Sequence, residues 1–345
     1  MRLALAILFA AAVFFLFGIV AQAPDHHEVD FYSFWAGARL VGPDLYSPAR
    51  VAAVQQAESP QVHGKSFIRP PFYAVALWPL GRLPFATAFV AWQALNISAI
   101  LLSIGLWRFR PSSYLACALF PPLWSCLRLG QDAPLLLLLA ICAAILIERK
   151  RELFGGAVLA LFVAKPNLVP LIPFLLLVQK RYRALSGFLA GGIALYLISS
   201  IAMGFDWLIG YTRAVFGNED TISPQIPGLA GLFNLAHAPK WCAYIGLIIG
   251  AGMIFHYGRK AAWMHALAFT LTIAVVFAPR SMIYDLVLLI PVLLLCFAPW
   301  IVSLLGVALV TVLFPPLPII GELSAVAISW MVRPRAVKAS PVLLP

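Results

Sequence analysis

The 345-residue chain is 63 % hydrophobic and 11 % charged, with a mean hydropathy of +0.95 and a formal charge of +11. A soluble protein of this length cannot bury so much apolar surface, so the composition indicates a polytopic membrane protein. The basic residues stand in short clusters between apolar runs, which marks membrane topology rather than a nucleic-acid-binding face.

Local signals narrow the class further. Cys117, Cys126, Cys142, Cys242 and Cys296 all lie in apolar runs without a CxxC pair, so neither a disulfide framework nor a zinc site is indicated. The chain carries no Walker A sequence, no GxGxxG and no HExxH, which argues against ATP-driven transport. Its 27 prolines are compatible with membrane helices, where neighbouring groups satisfy the carbonyls that proline frees.

In chain order, Arg2 precedes an apolar run over residues 3–20. Ala21-Gln22-Ala23 imitates a signal-peptidase site, but Pro24 hinders cleavage and the run is long enough to span, so a retained first helix is expected. With Arg2 inside, residues 21–70 form a first extracytoplasmic loop. Between residues 25 and 39 this loop gathers Asp25, His26, His27, Glu28, Asp30, Phe31, Tyr32, Phe34, Trp35 and Arg39, and it runs on to Gly42-Pro-Asp-Leu-Tyr46. The proline-broken stretch from Phe67 to Pro79 is too short to span and suits the interface, with its aromatics at headgroup depth. Residues 85–107 cross, 111–127 return outward to Arg128-Leu-Gly-Gln-Asp132, and 133–147 cross back to a charged cluster over 148–152. Two short apolar pieces follow, broken at Lys165-Pro166-Asn167 and flanked on both sides by basic clusters. They must dip into the membrane and return, leaving Lys165 deep in it or at its outer face. Residues 184–203 then cross to a second large extracytoplasmic loop, 205–240, which holds Asp206, Glu219 and Asp220. Residues 241–257 return to Arg259-Lys260, and 261–278 cross to Arg280 and Asp285. Segments 285–298, 300–314 and 317–332 bring the C-terminus inside. The expected fold is a single all-α transmembrane domain, residues 1–345, of about twelve spanning or re-entrant segments with both termini cytoplasmic.

Ionisable groups near hydrocarbon are costly and usually functional. Asp30 is either a loop carboxylate at a membrane border or a general base. His26 and His27 beside Asp25 and Glu28 offer metal-ligand chemistry, but adjacent histidines rarely point at one ion, so solvated loop charges are the simpler reading. Gln131-Asp132 suits either a helix cap or a substrate contact. Lys165, in a broken membrane helix, needs a carboxylate or phosphate partner or must snorkel to an interface; Asp285 poses the same question. Trp35 and the other tryptophans fit interface belts better than sugar platforms.

The ordered set Asp30-Phe-Tyr-Ser-Phe-Trp-Ala-Gly-Ala-Arg39, Gly42-x-Asp-Leu-Tyr46, Pro70-Pro-Phe72, Pro79-Leu, Leu83-Pro, Gly130-Gln131, Ala164-Lys-Pro166 and Tyr284-Asp-Leu286 resembles glycosyltransferase family 87. No single motif is specific; their order over residues 15–300 is what carries the resemblance. Two departures stand out: Arg69 precedes the double proline where the family often has an aromatic, and Ala278-Pro-Arg-Ser-Met-Ile-Tyr-Asp285 lacks a histidine found in some members. The resemblance implies a C-type membrane glycosyltransferase that inverts configuration as it moves a hexose, mannose foremost, from a polyprenyl-phosphate carrier to an acceptor hydroxyl on a glycolipid or glycan. It implies Asp30 as catalytic base and Arg39, Tyr46, Arg69, Gln131, Lys165, Arg280 and Asp285 as substrate-binding residues. The lipid-linked sugar is then a substrate rather than a cofactor. No cofactor and no metal ligand is expected, and the partners are the bilayer, the donor and the acceptor, without nucleic acid. The implied location is a bacterial inner membrane with the site facing outward. The rival reading is a secondary transporter or a flippase for lipid-linked sugars, although no internal repeat supports it; a structural subunit without activity would not need Asp30 at all.

Overall fold

In a computed structural model the described residues run from 29 to 302, except 63, 108, 218–228 and 300. The expected first helix (3–20), the segments 300–314 and 317–332, and the cluster Asp25, His26, His27 and Glu28 lie outside them. Among the described residues every element is helical.

The stretch expected as the first extracytoplasmic loop is folded rather than a plain loop. It contains α1 (Phe31–Arg39) and α2 (Pro48–Glu58), and it leads into α3 (Pro71–Gly81). Ser47 caps α2 by accepting from the Arg50 amide, and Pro48 occupies the first helical position, where its missing N–H is not needed. An aromatic core joins these helices to the next: Tyr32 stacks on Phe85 at 3.8 Å, Phe31 lies over Trp92 at 5.7 Å, and Trp35 Nε1 donates to the Leu83 carbonyl at 3.0 Å. Gly37 is required here, because a Cβ at this position would lie 2.4 Å from the Phe67 ring.

Among the described residues two helices are long and apolar enough to cross a membrane: α4 (Phe85–Leu106) and the later Tyr182–Met203, each 22 residues. At 1.5 Å per residue each is about 33 Å long, which matches a hydrocarbon layer of about 30 Å. Both expose large apolar side chains, among them Val90, Leu95 and Leu102 on the first and Leu189, Ile193 and Ile201 on the second. The stretch expected as one helix over 111–127 is split into α5 (Ser112–Ala118) and α6 (Pro121–Leu129). Pro121 and Pro122 can open a helix but cannot continue one. Helix α6 and α7 (Ala133–Glu148) meet at 113°, so together they form one broken span or a re-entrant turn. Gly130 makes that bend at φ +69°, a left-handed conformation that glycine adopts without penalty.

The two short apolar pieces form a helical hairpin. Helix α8 (Glu152–Ala160) runs through a 3-10 turn to Lys165, and α9 (Leu171–Val178) runs back. The long helix α10 (Tyr182–Met203) packs on α8 through small residues: a Cβ on Gly156 would fall 1.8 Å from the Ala184 carbonyl oxygen, and one on Gly187 would fall 2.0 Å from that of Leu153. This is the close backbone approach that small residues permit between membrane helices. Then come α11 (Trp207–Phe216), α12 (Leu229–Leu235), α13 (Ile245–Met253), α14 (Trp263–Phe277), a 3-10 segment (Ile283–Leu289) and α15 (Ile290–Cys296).

Contacts between chain turns define two ends of the bundle. At one end, Arg181 donates to Glu152 at 2.8 Å, Gln179 donates to the Gly258 and Ala261 carbonyls, and Arg181 lies over the Trp263 ring at 5.0 Å. The basic clusters around 149–151, 180–183 and 259–260 are thereby gathered together. At the other end, Tyr46 packs on Tyr211 and the Phe72 amide donates to Ser199. The breaks at 130–132, 164–166 and 278–282 also fall at this second end.

Candidate active site

The polar residues of this second end form one connected network. Asp30 closes the turn before α1. Its carboxylate does not cap that helix but accepts from Lys65 Nζ through Oδ1 and from Gln131 Nε2 through Oδ2, both at 2.8 Å. Gln131 passes the connection inward, its Oε1 accepting from the Arg69 guanidinium at 3.3 Å. The amide orientation follows from its partners: turned over, its oxygen would face a carboxylate and its NH₂ a cation.

Arg69 is the hub. It pairs with Asp132 at 3.1 Å, donates to the Ala164 carbonyl at 3.2 Å, and lies over the rings of Phe34 and Tyr73. Burial works against its charge more than any one neighbour favours it, but Asp132, Tyr73, Tyr284 and Asp285 together outweigh burial and keep the guanidinium pKa above its ordinary value. Arg69 Nε is buried without a partner among the described residues, and an N–H left in that state is costly unless a ligand oxygen takes it.

Asp132 also accepts from the Tyr73 hydroxyl at 3.0 Å and pairs with Lys165 at 3.2 Å. Lys165 in turn pairs with Asp285 and sits 4.8 Å above the Tyr284 ring. The second oxygen of Asp285 accepts from the Met282 amide at 3.0 Å. Among the described residues three cations (Lys65, Arg69, Lys165) thus face three carboxylates (Asp30, Asp132, Asp285).

Charged groups and broken backbone hold each other in place. The frayed carbonyls at the breaks are taken by Arg69 at Ala164, by Trp92 Nε1 at Gly130 (2.8 Å) and by Asn167 at Arg280 (2.6 Å). Irregular backbone at membrane depth needs such internal partners.

Of the residues read from the sequence, Asp30, Arg69, Gln131, Lys165 and Asp285 come together here. Tyr46 borders the cluster, its hydroxyl donating to the Arg69 carbonyl at 2.7 Å. Burial raises the Tyr46 pKa, and it pushes that of neighbouring Tyr211 up to about 12, so both phenols stay protonated. Arg39 lies elsewhere: it is exposed, sits 4.8 Å over the Trp35 ring and donates to the Gly81 carbonyl at 3.1 Å, tying α1 to α3. Arg280 enters through its main chain, as the acceptor of the Asn167 amide.

Four members had a weaker signal. Asp132 suited a cap equally well, yet it makes no side-chain cap bond and its carboxylate faces the cations instead. Tyr73 and Tyr284 stood inside motifs whose other residues drew attention. Lys65 lies in a polar stretch with nothing to distinguish it from a solvated lysine.

Exposure grades the network from rim to floor. The side chains of Asp30 and Lys65 are 25 % and 28 % exposed, whereas those of Lys165 and Asp285 are both 3 % exposed. The outermost carboxylate, fixed on both oxygens and still open to solvent, suits proton abstraction from an incoming hydroxyl. Among the described residues no group of three His, Cys, Asp or Glu is placed to hold a metal ion.

Comparison with known proteins adds a family match. The sequence profile of glycosyltransferase family 87 matches residues 67–303, and no curated protein or solved structure matches. The matched stretch contains Arg69, Gln131, Lys165, Arg280 and Asp285; it begins just after Lys65 and leaves Asp30 outside.

Proposed function

The chain belongs to glycosyltransferase family 87, and from that premise we propose that it moves a hexose, mannose foremost, from a polyprenyl-phosphate carrier to an acceptor hydroxyl. Asp30 takes the hydroxyl proton as the acceptor oxygen attacks the anomeric carbon. The bond from that carbon to the phosphate oxygen breaks on the opposite face, so configuration inverts and polyprenyl phosphate departs. The proton on Asp30 then passes to water. Gln131 orients the carboxylate, and through Gln131 the buried charges hold Asp30 in register with the helix breaks. The acceptor is a glycolipid or glycan, and Tyr46, Arg69, Lys165, Arg280 and Asp285 line or brace the substrate site. The enzyme sits in a bacterial inner membrane as one domain of about twelve segments, with the loops 21–70 and 205–240 and the site facing outward. Outside the cytoplasm nucleotide sugars are absent, which a lipid donor circumvents. The carrying observation is the carboxylate of Asp30, open to solvent and held by an amide and an ammonium.

The test uses the full chain in lipid nanodiscs with undecaprenyl-phosphomannose and a bacterial glycolipid extract as acceptor, reading the release of undecaprenyl phosphate. A general base typically contributes about 10²–10⁴-fold to rate, and Asp30→Asn, nearly isosteric but unable to take the proton, should lose that much. Near-normal release by Asp30→Asn, or movement of the lipid-linked sugar across the bilayer without transfer, would overturn the proposal.

A further inference from the structure

A half-open cavity of about 140 Å³ lies at the site's end of the bundle, between the Leu45-Tyr46 turn, the Ser66-Phe67 stretch and α11. Leu45 and Phe67, both buried, give it an apolar floor. Tyr46 and Ala214 also line it, and Ser66 and the exposed Arg213 add polar groups. The cavity adjoins the rim of the charged network. The Ser66 carbonyl accepts from the Ser33 hydroxyl at 2.9 Å, and the Ser33 amide donates to the Asp30 carbonyl at 2.9 Å. Tyr46 is bonded in turn to the Arg69 carbonyl. Two lining residues are thus tied directly to the segments that carry Asp30 and Arg69.

Size and lining select an amphipathic ring. A cavity of about 150 Å³ holds one six-membered ring. An apolar surface with a few polar groups suits a ligand that is apolar on its face and polar at its edge. A pyranose has that division, with C–H groups on a ring face and hydroxyls around it. An alkyl chain would use neither Ser66 nor Arg213.

Helix α11 shows the direction of entry. It begins at Trp207, just after the spanning helix α10 ends at Met203. Leu208, Ile209 and Phe216 are exposed along one side of it, with Phe205 exposed just before it, and they continue the apolar surface of α10 at Ile201. The other side packs inward: Trp207 lies against Tyr196, and a Cβ on Gly210 would stand 3.1 Å from the Tyr46 ring. A short helix with such a stripe, at the end of a spanning helix, lies in the membrane interface with the bilayer against its apolar side.

We infer that this cavity is an acceptor subsite, which takes one pyranose ring of a membrane-anchored glycan entering from the bilayer past α11, with an acceptor hydroxyl directed to Asp30. This deepens the reading under Proposed function and rests on it, and it selects a glycolipid over a free glycan.

The test is native mass spectrometry of the full chain in a sugar-free detergent. The probes are mannosyl-, glucosyl- and galactosyl-diacylglycerol, with diacylglycerol, phosphatidylglycerol and the free methyl glycosides as controls. At least one glycosyl lipid should bind tenfold or more tighter than diacylglycerol and than its own methyl glycoside. Ala214→Trp, which fills the cavity, should abolish that preference and leave diacylglycerol binding unchanged. Arg213→Gln, an exposed change that spares the fold, should weaken the glycosyl lipid several-fold. Equal binding of diacylglycerol, which marks an alkyl groove, would overturn the inference. So would stronger binding of phosphatidylglycerol than of every glycosyl lipid, or a preference that survives in Ala214→Trp. The two proposals fail separately, because binding needs no turnover. Release of undecaprenyl phosphate without the glycolipid preference removes this subsite, whereas persistent turnover in Asp30→Asn removes the proposed base.

Discussion

Lys165 is where the buried network is most open to measurement. Its ammonium stands 3.2 Å from Asp132 and also pairs with Asp285, and all three side chains are nearly inaccessible. At that separation and an effective dielectric of about 20, the Lys165–Asp132 attraction alone is about 5 kcal/mol. Desolvation offsets much of this in the intact pair, but removing one partner leaves the other's desolvation uncompensated, at a typical cost of about 3–5 kcal/mol. Lys165→Met keeps a long apolar stem and deletes the charge, leaving Asp132 with Arg69 and Tyr73 and Asp285 with the Met282 amide. The thermal midpoint in detergent should fall by an amount on the order of 10 °C. Adding Asp285→Asn removes the stranded carboxylate and should recover at least half of that loss. If the single variant melted within 2 °C of wild type, or the double variant melted no higher than the single, the network would not be the brace described here. A purely snorkelling lysine predicts neither the drop nor the rescue.

Two further outcomes test neighbouring parts of the argument. Gln55→Leu leaves both main-chain groups of Lys65 without their buried partner, at about 1–3 kcal/mol for each group left unsatisfied; the thermal midpoint in detergent should fall by an amount on the order of 5 °C, and an unchanged midpoint would show that this anchor does not brace the stretch. For sidedness, Ser59→Cys should react with an impermeant maleimide from outside intact cells and Ser186→Cys only after lysis; labelling of both from outside would overturn the proposed topology.

Much of the site was legible because charge is rare in this sequence. In a chain with so few ionisable groups, Asp30, Lys165 and Asp285 stand out against their apolar surroundings, and the structure brings each of them to the same end of the bundle. What could not be read was pairing. Lys65 sits 35 residues from Asp30 and Asp132 sits 63 from Arg69, and no local pattern reports contacts over such separations. Asp132 was hidden by chemistry: an aspartate just before an apolar helix is the ordinary signature of an N-cap. Arg39 shows the same limit from the other side, because its position in a motif does not reveal that its guanidinium ties α1 to the end of α3, apart from the cluster. The long helices α4 and α10 followed directly from apolar length. The split of 111–129 into two short helices depended on how Pro121-Pro122 was accommodated, which tertiary packing decides.

The breaks and the charges are best understood together. A continuous helix satisfies its own backbone and would carry no polar group to the centre of this end. Gly130, Pro166 and Pro279 interrupt three chain segments near the same level, and each interruption frees carbonyls or amides that cannot be left bare in an apolar setting. Arg69, Trp92, Asn167 and Asp285 take up those groups. Once there, the ionised members must be neutralised, and they neutralise one another through Asp132 and Lys165. Only at the rim does the chain of pairs reach solvent, where Asp30 and Lys65 remain partly exposed. A network arranged only for stability could be replaced by apolar packing, often at no cost. Retaining charges that end in one partly exposed carboxylate is instead what the proton transfer proposed for Asp30 requires.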